Sequence, residues 1–116
     1  MKHSPTWYRK KCVEKAKVRV KKKAGKCERC GRIHGMMHGA HILPEGAYPL
    51  MSAEDENLLC FCFRCHFFFW HKHPLEAAAW FNEKWPRRYK KLRKMAEEKK
   101  KHVVNWKLQY DIQIQD

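Results

Sequence analysis

The sequence lacks any apolar stretch that could cross a membrane. A membrane-spanning helix needs about 20 consecutive apolar residues, but the longest aromatic run here is the short segment Phe67–Trp70, which has a histidine on either side. An apolar secretory signal is also missing, because the first residues, MKHSP, lead directly into a basic segment. We therefore expect a cytoplasmic protein that has no membrane partner.

Acidic residues are scarce, with 12 Asp and Glu against 26 Lys and Arg, which gives a formal net charge of +14. Residues 1–26 carry eleven basic side chains and one acidic one, and residues 84–101 carry ten basic and two acidic side chains. Residues 27–83, by contrast, carry four basic and seven acidic side chains. Flanks of this kind favour a nucleic-acid partner, because Lys and Arg displace counterions from phosphates. Solvated helix faces are the alternative. The predicted phosphate contacts are Lys21, Lys22, Lys23, Arg87, Arg88 and Lys91.

Internal repeats and low-complexity linkers are absent, so the 116 residues are expected to form one domain. Apolar periodicity predicts a basic helix over 5–23, extended chain over 31–43 and a short buried strand over 58–61. Further helices are predicted from residue 64 and over 75–85 and 87–101. Strict alternation predicts a strand over 104–114, with a helical or disordered terminal segment as the alternative. The fold class is therefore α+β. The aromatic run Phe67–Trp70 is expected to pack in the core, with stacking on unpaired bases as the alternative.

Six cysteines are present, and four of them form two Cys-x-x-Cys pairs, Cys27/Cys30 and Cys62/Cys65. In a cytosolic protein such pairs indicate a metal site more often than disulfides. Four thiolates suit a tetrahedral Zn²⁺, and a small domain with a limited core gains stability from such a site. The sequence therefore predicts a structural zinc ion.

Between and after these pairs, His41 stands in Ala-His-Ile-Leu-Pro, and Asn57 follows sixteen residues later. Cys62, Cys65 and His66 come five, eight and nine residues after Asn57. In these spacings the chain resembles the HNH (His-Me finger, ββα-metal) endonucleases that carry four zinc-binding cysteines, over residues 25–73. Residues 71–85 are more weakly similar to phage recombination nucleases of the NinG/Rap type, which implies branched DNA as substrate and a phage or prophage origin.

The resemblance implies a metal-dependent DNA endonuclease, as a monomer or a homodimer. His41 would be the general base, since imidazole titrates near working pH, and Asn57 would orient it. His66 would hold the catalytic Mg²⁺ or Mn²⁺, or else Zn²⁺. His71 is the preferred second ligand, although its five-residue spacing requires a distorted helix.

One position departs from the family pattern. Members often carry a metal-binding Asp or His immediately before the base, where this chain has Ala40. His38, Asn57 or Glu45 could supply that ligand instead, or the metal could be held loosely, with water and phosphate oxygens completing its shell. The departure also keeps open a second function, a zinc-dependent nucleic-acid-binding module without catalysis.

Overall fold

A computed structural model describes residues 3–114 and confirms an α+β fold. Helix α1 spans Pro5–Ala24, strands β1 and β2 span Met37–His41 and Leu58–Cys62, and a π-helix spans Cys65–His71. Helices α2, α3 and α4 follow at Pro74–Lys84, Arg88–Lys100 and Trp106–Ile114. Short 3₁₀ turns at Pro49–Met51 and Asp55–Asn57 interrupt the loop that joins the strands. Within this described range, no helix combines the length and apolar character that a membrane crossing requires.

Helix α1 begins and ends where its sequence predicts. The Ser4 hydroxyl accepts a hydrogen bond from the Trp7 backbone N–H at 3.1 Å, and Pro5 occupies the first turn. Gly25 ends the helix in the left-handed conformation at φ 68°, which suits glycine because it has no Cβ. The buried stripe of α1 includes Ala16 and Val20, which pack against β2.

The two strands form an antiparallel pair in which His38 faces Phe61, Gly39 faces Cys60 and His41 faces Leu58. Every residue of β2 is buried, which confirms the predicted short strand. The predicted extended segment 31–43 contains a strand only at Met37–His41. The other edge of β2 is covered by Glu28, whose carboxylate accepts the Cys60 N–H at 2.9 Å while its own N–H donates to the Cys60 carbonyl at 2.8 Å.

The predicted helix after β2 is present, but it is a π-helix. Trp70 anchors it, because the indole N–H donates to the His41 carbonyl at 3.2 Å and the ring lies 5.3 Å from that of Phe61. The expectation that the whole aromatic run packs in the core is wrong for Phe67 and Phe68, which are 40% and 51% exposed. The wide helix directs Trp70 inward and leaves these two rings at the surface.

The strand favoured for the C-terminal segment is wrong and its helical alternative is correct, because Trp106–Ile114 forms helix α4. The helix packs against α1, with the Tyr110 ring 5.5 Å from Trp7 and 5.6 Å from Tyr8. Asn105 caps its start, since its Oδ1 accepts the Leu108 N–H at 3.0 Å.

The alternation of apolar and polar residues was misleading in this segment, because the apolar residues do not form a buried face. Leu108 and Ile112 are each 54% exposed, and Ile114 is 52% exposed. Packing against α1 therefore determines the conformation, whatever the local pattern favours.

Candidate metal centre and histidine cleft

The four cysteines of the two Cys-x-x-Cys pairs meet at one point. Their sulfur atoms all lie within 4.8 Å of one another, and the Sγ atoms of Cys30 and Cys62 are 3.7 Å apart. Tetrahedral Zn²⁺ with bonds of about 2.3 Å separates two sulfur ligands by about 3.8 Å, whereas a disulfide bond is about 2.05 Å long. All four cysteines are free thiols. The residues therefore fit a metal such as zinc, which would be held by Cys27, Cys30, Cys62 and Cys65.

The surroundings of the cluster favour a thiolate at Cys27 but not at Cys65. Burial alone raises the pKa of the Cys27 thiol, but backbone N–H groups of Cys30, Cys62 and Arg29 outweigh it and lower that pKa to about 7. Burial raises the pKa of Cys65 to about 12, although the Arg29 guanidinium, which donates to its sulfur at 3.6 Å, opposes the rise. Cys65 therefore depends on a bound cation to lose its proton at neutral pH.

A cleft of about 750 Å³ brings together residues from three parts of the chain. The end of β1 contributes His41, the π-helix contributes His66 and His71, and α1 contributes Lys17. We call this the histidine cleft. Two of the predicted catalytic residues, His41 and His66, thus share one concave surface.

The π-helix is what aligns His66 with His71. Its hydrogen bonds run from i to i+5, so each turn holds more residues than in an α-helix and residues five apart come nearer to the same side. The Nε2 atoms of the two rings lie 3.0 Å apart. In an ordinary α-helix these residues would point in different directions. By contrast, His73 lies at the N-cap of α2 and its ring pairs with Glu76 at 3.2 Å.

His66 also contacts a histidine that the sequence offered only as an alternative ligand. Its Nδ1 lies 3.1 Å from Nδ1 of His38, so one ring bridges His38 and His71. Burial, with further contributions from His71 and His38, lowers the pKa of His66 to about 4, so the ring is neutral at pH 7.

His41 has a defined tautomer. Its Nε2 lies 2.8 Å from the backbone carbonyl of Ser52, which can only accept, so Nε2 carries the proton and Nδ1 keeps a free lone pair. Burial lowers the pKa of His41 despite the opposing effects of Ser52 and Glu45. The ring is therefore neutral at pH 7 and can accept a proton.

Asn57 is fully buried and ties the loop between the strands together. Its Oδ1 accepts the Leu43 N–H at 2.7 Å, and its Nδ2 donates to the carbonyls of Leu43 and Met51 at 3.2 and 3.0 Å. Met51 precedes Ser52, whose carbonyl orients His41. Asn57 thus acts on His41 through the loop, and all its polar atoms are committed to the backbone.

Three residues could replace the metal ligand that is missing at position 40, and of these only His38 contacts His66. Residues two apart on a strand point to the same face, so His38 and Ala40 share a side of β1. Glu45 is paired with Arg9 at 2.6 Å, and Asn57 is committed to the loop. The sequence alone could have indicated that His38 and Ala40 share a face, because they are two residues apart in a predicted extended segment.

The predicted phosphate contacts lie away from the histidine cleft. Lys21, Lys22 and Lys23 form the last turn of α1. Arg88 donates to the carbonyls of Glu56 and Leu58 at 2.8 and 3.1 Å, and Lys91 pairs with Glu56 at 2.7 Å. Arg87 is exposed at the start of α3. Phosphate binding by Arg88 or Lys91 would therefore compete with contacts inside the protein. These contacts remain predictions.

No protein-family model, curated protein or solved structure matches this chain.

Proposed function

We propose that the chain is a metal-dependent DNA endonuclease of the HNH type, in which the antiparallel strand pair and the π-helix form a ββα-metal finger. The observation that carries the proposal is the histidine cleft, where a tautomerically fixed His41 and the adjacent pair His66 and His71 face one space. The cysteine cluster supplies the scaffold, which is compatible with a nuclease or with a binding module.

His41 acts as the general base in this proposal. Its free Nδ1 takes a proton from a water molecule as the water oxygen bonds to phosphorus and the bond from phosphorus to the 3′ oxygen breaks. The Ser52 carbonyl holds the ring and stabilises the imidazolium that forms. The departing 3′ oxygen is protonated by solvent, so the products are a 5′-phosphate and a 3′-hydroxyl.

His66 and His71 would hold the catalytic metal through their Nε2 atoms. Their separation of 3.0 Å equals the distance of about 3.0 Å between neighbouring ligands in an octahedral shell with bonds of about 2.1 Å. A divalent cation there would offset the charge on the phosphorane-like transition state and the departing oxygen. Because both ligands are imidazoles, whereas Mg²⁺ favours carboxylates, we expect Mn²⁺ to support faster cleavage than Mg²⁺.

An exposed aromatic patch supports a substrate that contains unpaired bases. Phe63, Phe67 and Phe68 are 52%, 40% and 51% exposed, and the Phe67 ring lies 4.5 Å from that of His66. The Lys72 ammonium lies 5.2 Å from the Phe68 ring. Aromatic rings flanked by cations bind single-stranded segments by base stacking. Branched DNA presents such segments beside duplex, so we propose it as the substrate.

The test is nicking of supercoiled plasmid and of a forked duplex with Mn²⁺ or Mg²⁺. Wild type is expected to cut in both metals, and His41→Ala and His66→Ala to lose activity while retaining zinc. His34→Ala is the matched control, because His34 is exposed and does not line the cleft. If wild type binds DNA but never cuts, or if His41→Ala cuts as fast as wild type, the binding module is the better description.

A further inference from the structure

Lys17 reaches the histidine cleft across strand β1. It lines the cleft with His41 and His66, although it comes from the middle of α1. A Cβ atom at Gly39 would lie 2.5 Å from Cγ of Lys17 and 2.9 Å from its Cβ. The aliphatic stem of Lys17 therefore lies directly on the glycine, and any larger residue at position 39 would displace it.

The Lys17 ammonium has no carboxylate partner within residues 3–114, in contrast to other basic residues of α1. Arg9 pairs with Glu45 at 2.6 Å, and Arg19 pairs with Asp55 at 2.9 Å. Glu45 is the carboxylate that lines the cleft, and its ion pair is with Arg9, not with Lys17. Lys17 is thus a half-buried, uncompensated positive charge that acts on both imidazoles and contributes to lowering their pKa values.

We propose that Lys17 binds the scissile phosphate through a non-bridging oxygen, and that Gly39 is a positioning residue that lets the lysine stem cross β1. The inference rests on the proposed function, since it names the group that receives the phosphate in that same cleft. A lysine ammonium binds phosphate as a compact point charge. A fixed cation there offsets charge as it grows in the transition state, beside the metal that His66 and His71 would hold.

Lys17→Met tests the proposal, since methionine keeps most of the stem without the charge. We expect kcat for nicking to fall about 100-fold, as for the loss of one transition-state contact, with KM changed less than about threefold. Lys10→Met is the matched control, because it removes one charge from an exposed position of α1 that does not line the histidine cleft. That variant is expected to leave kcat unchanged. Lys17→Arg should restore part of the rate, and Gly39→Ala should lower kcat with Lys17 intact.

Titration with inorganic phosphate, followed by the imidazole NMR signals of His41 and His66 without divalent metal, gives a readout independent of cutting. Wild type and Lys10→Met should respond, and Lys17→Met should not. An equal response in Lys17→Met overturns the proposal. If His41→Ala abolishes nicking while Lys17→Met keeps full kcat, the lysine proposal fails and the nuclease proposal stands. If nothing cuts but Lys17 is required for the phosphate response, the nuclease proposal fails instead.

Discussion

Two cysteines of β2, two residues apart, should differ sharply in what their loss does to the protein. Cys62 belongs to the four-sulfur cluster, whereas Cys60 is equally buried but packs against Ala16 and Val20 of α1. Burial raises the pKa of Cys60 to about 11, so it stays a thiol. Cys62→Ala and Cys60→Ala therefore remove the same atom from the same strand, one inside the four-sulfur cluster and one outside it.

The two substitutions should lower the free energy of unfolding by very different amounts. A structural zinc ion contributes about 10–16 kcal/mol of apparent binding free energy, and a chain of 116 residues has a net free energy of unfolding of about 6–17 kcal/mol. Losing the ion thus removes most or all of the stability, and Cys62→Ala should be unfolded or partly folded at 25 °C. Cys60→Ala should cost about 1 kcal/mol, as for one small buried group.

Thermal stability is measured by circular dichroism and zinc content by elemental analysis, both on the same samples. Wild type and Cys60→Ala should hold one zinc per chain and melt cooperatively, and a chelator should unfold them in parallel with zinc release. The zinc assignment is refuted if Cys62→Ala melts like Cys60→Ala, or if wild type purified with zinc present contains none.

Three further outcomes are expected. Because the base must be neutral and burial lowers the pKa of His41, kcat/KM should fall with decreasing pH at a midpoint below 6.5; a midpoint above 6.5 would contradict this. Asn57→Ala removes three buried hydrogen bonds and should lower the free energy of unfolding in urea by about 3 kcal/mol, against less than about 0.5 for the exposed Asn82→Ala. Tyr110→Ala should destabilise α4 by about 2 kcal/mol and Ile112→Ala by less than about 0.5, whereas equal effects would favour the strand.

The sequence was most informative where chemistry constrains spacing. Two Cys-x-x-Cys pairs predict a four-sulfur cluster, and the structure brings those sulfurs together. Ser4, Pro5 and Gly25 mark the ends of α1 because capping depends on local hydrogen bonds and dihedral angles. The short apolar run of β2 likewise predicts a fully buried strand.

Other features depend on packing between distant segments, and local sequence does not report them. The π-helix exists where Trp70 is held by the His41 carbonyl and Phe61, and nothing in residues 65–71 alone specifies its wider turn. The position of Lys17 in the histidine cleft was not predicted, because it depends on the contact between its stem and Gly39 of a distant strand. Helix α4 was misread because its partner, α1, lies about a hundred residues earlier in the chain.

The four sulfurs of the cluster are not equally accessible, since Cys30 is exposed and the other three are buried. Competing ligands and oxidants can approach Cys30 first, so this sulfur is the natural point at which exchange begins. Release of the ion should then speed up with chelator concentration, without waiting for global unfolding. The lifetime of the folded protein in a metal-poor solution would be set by one solvent-facing thiolate.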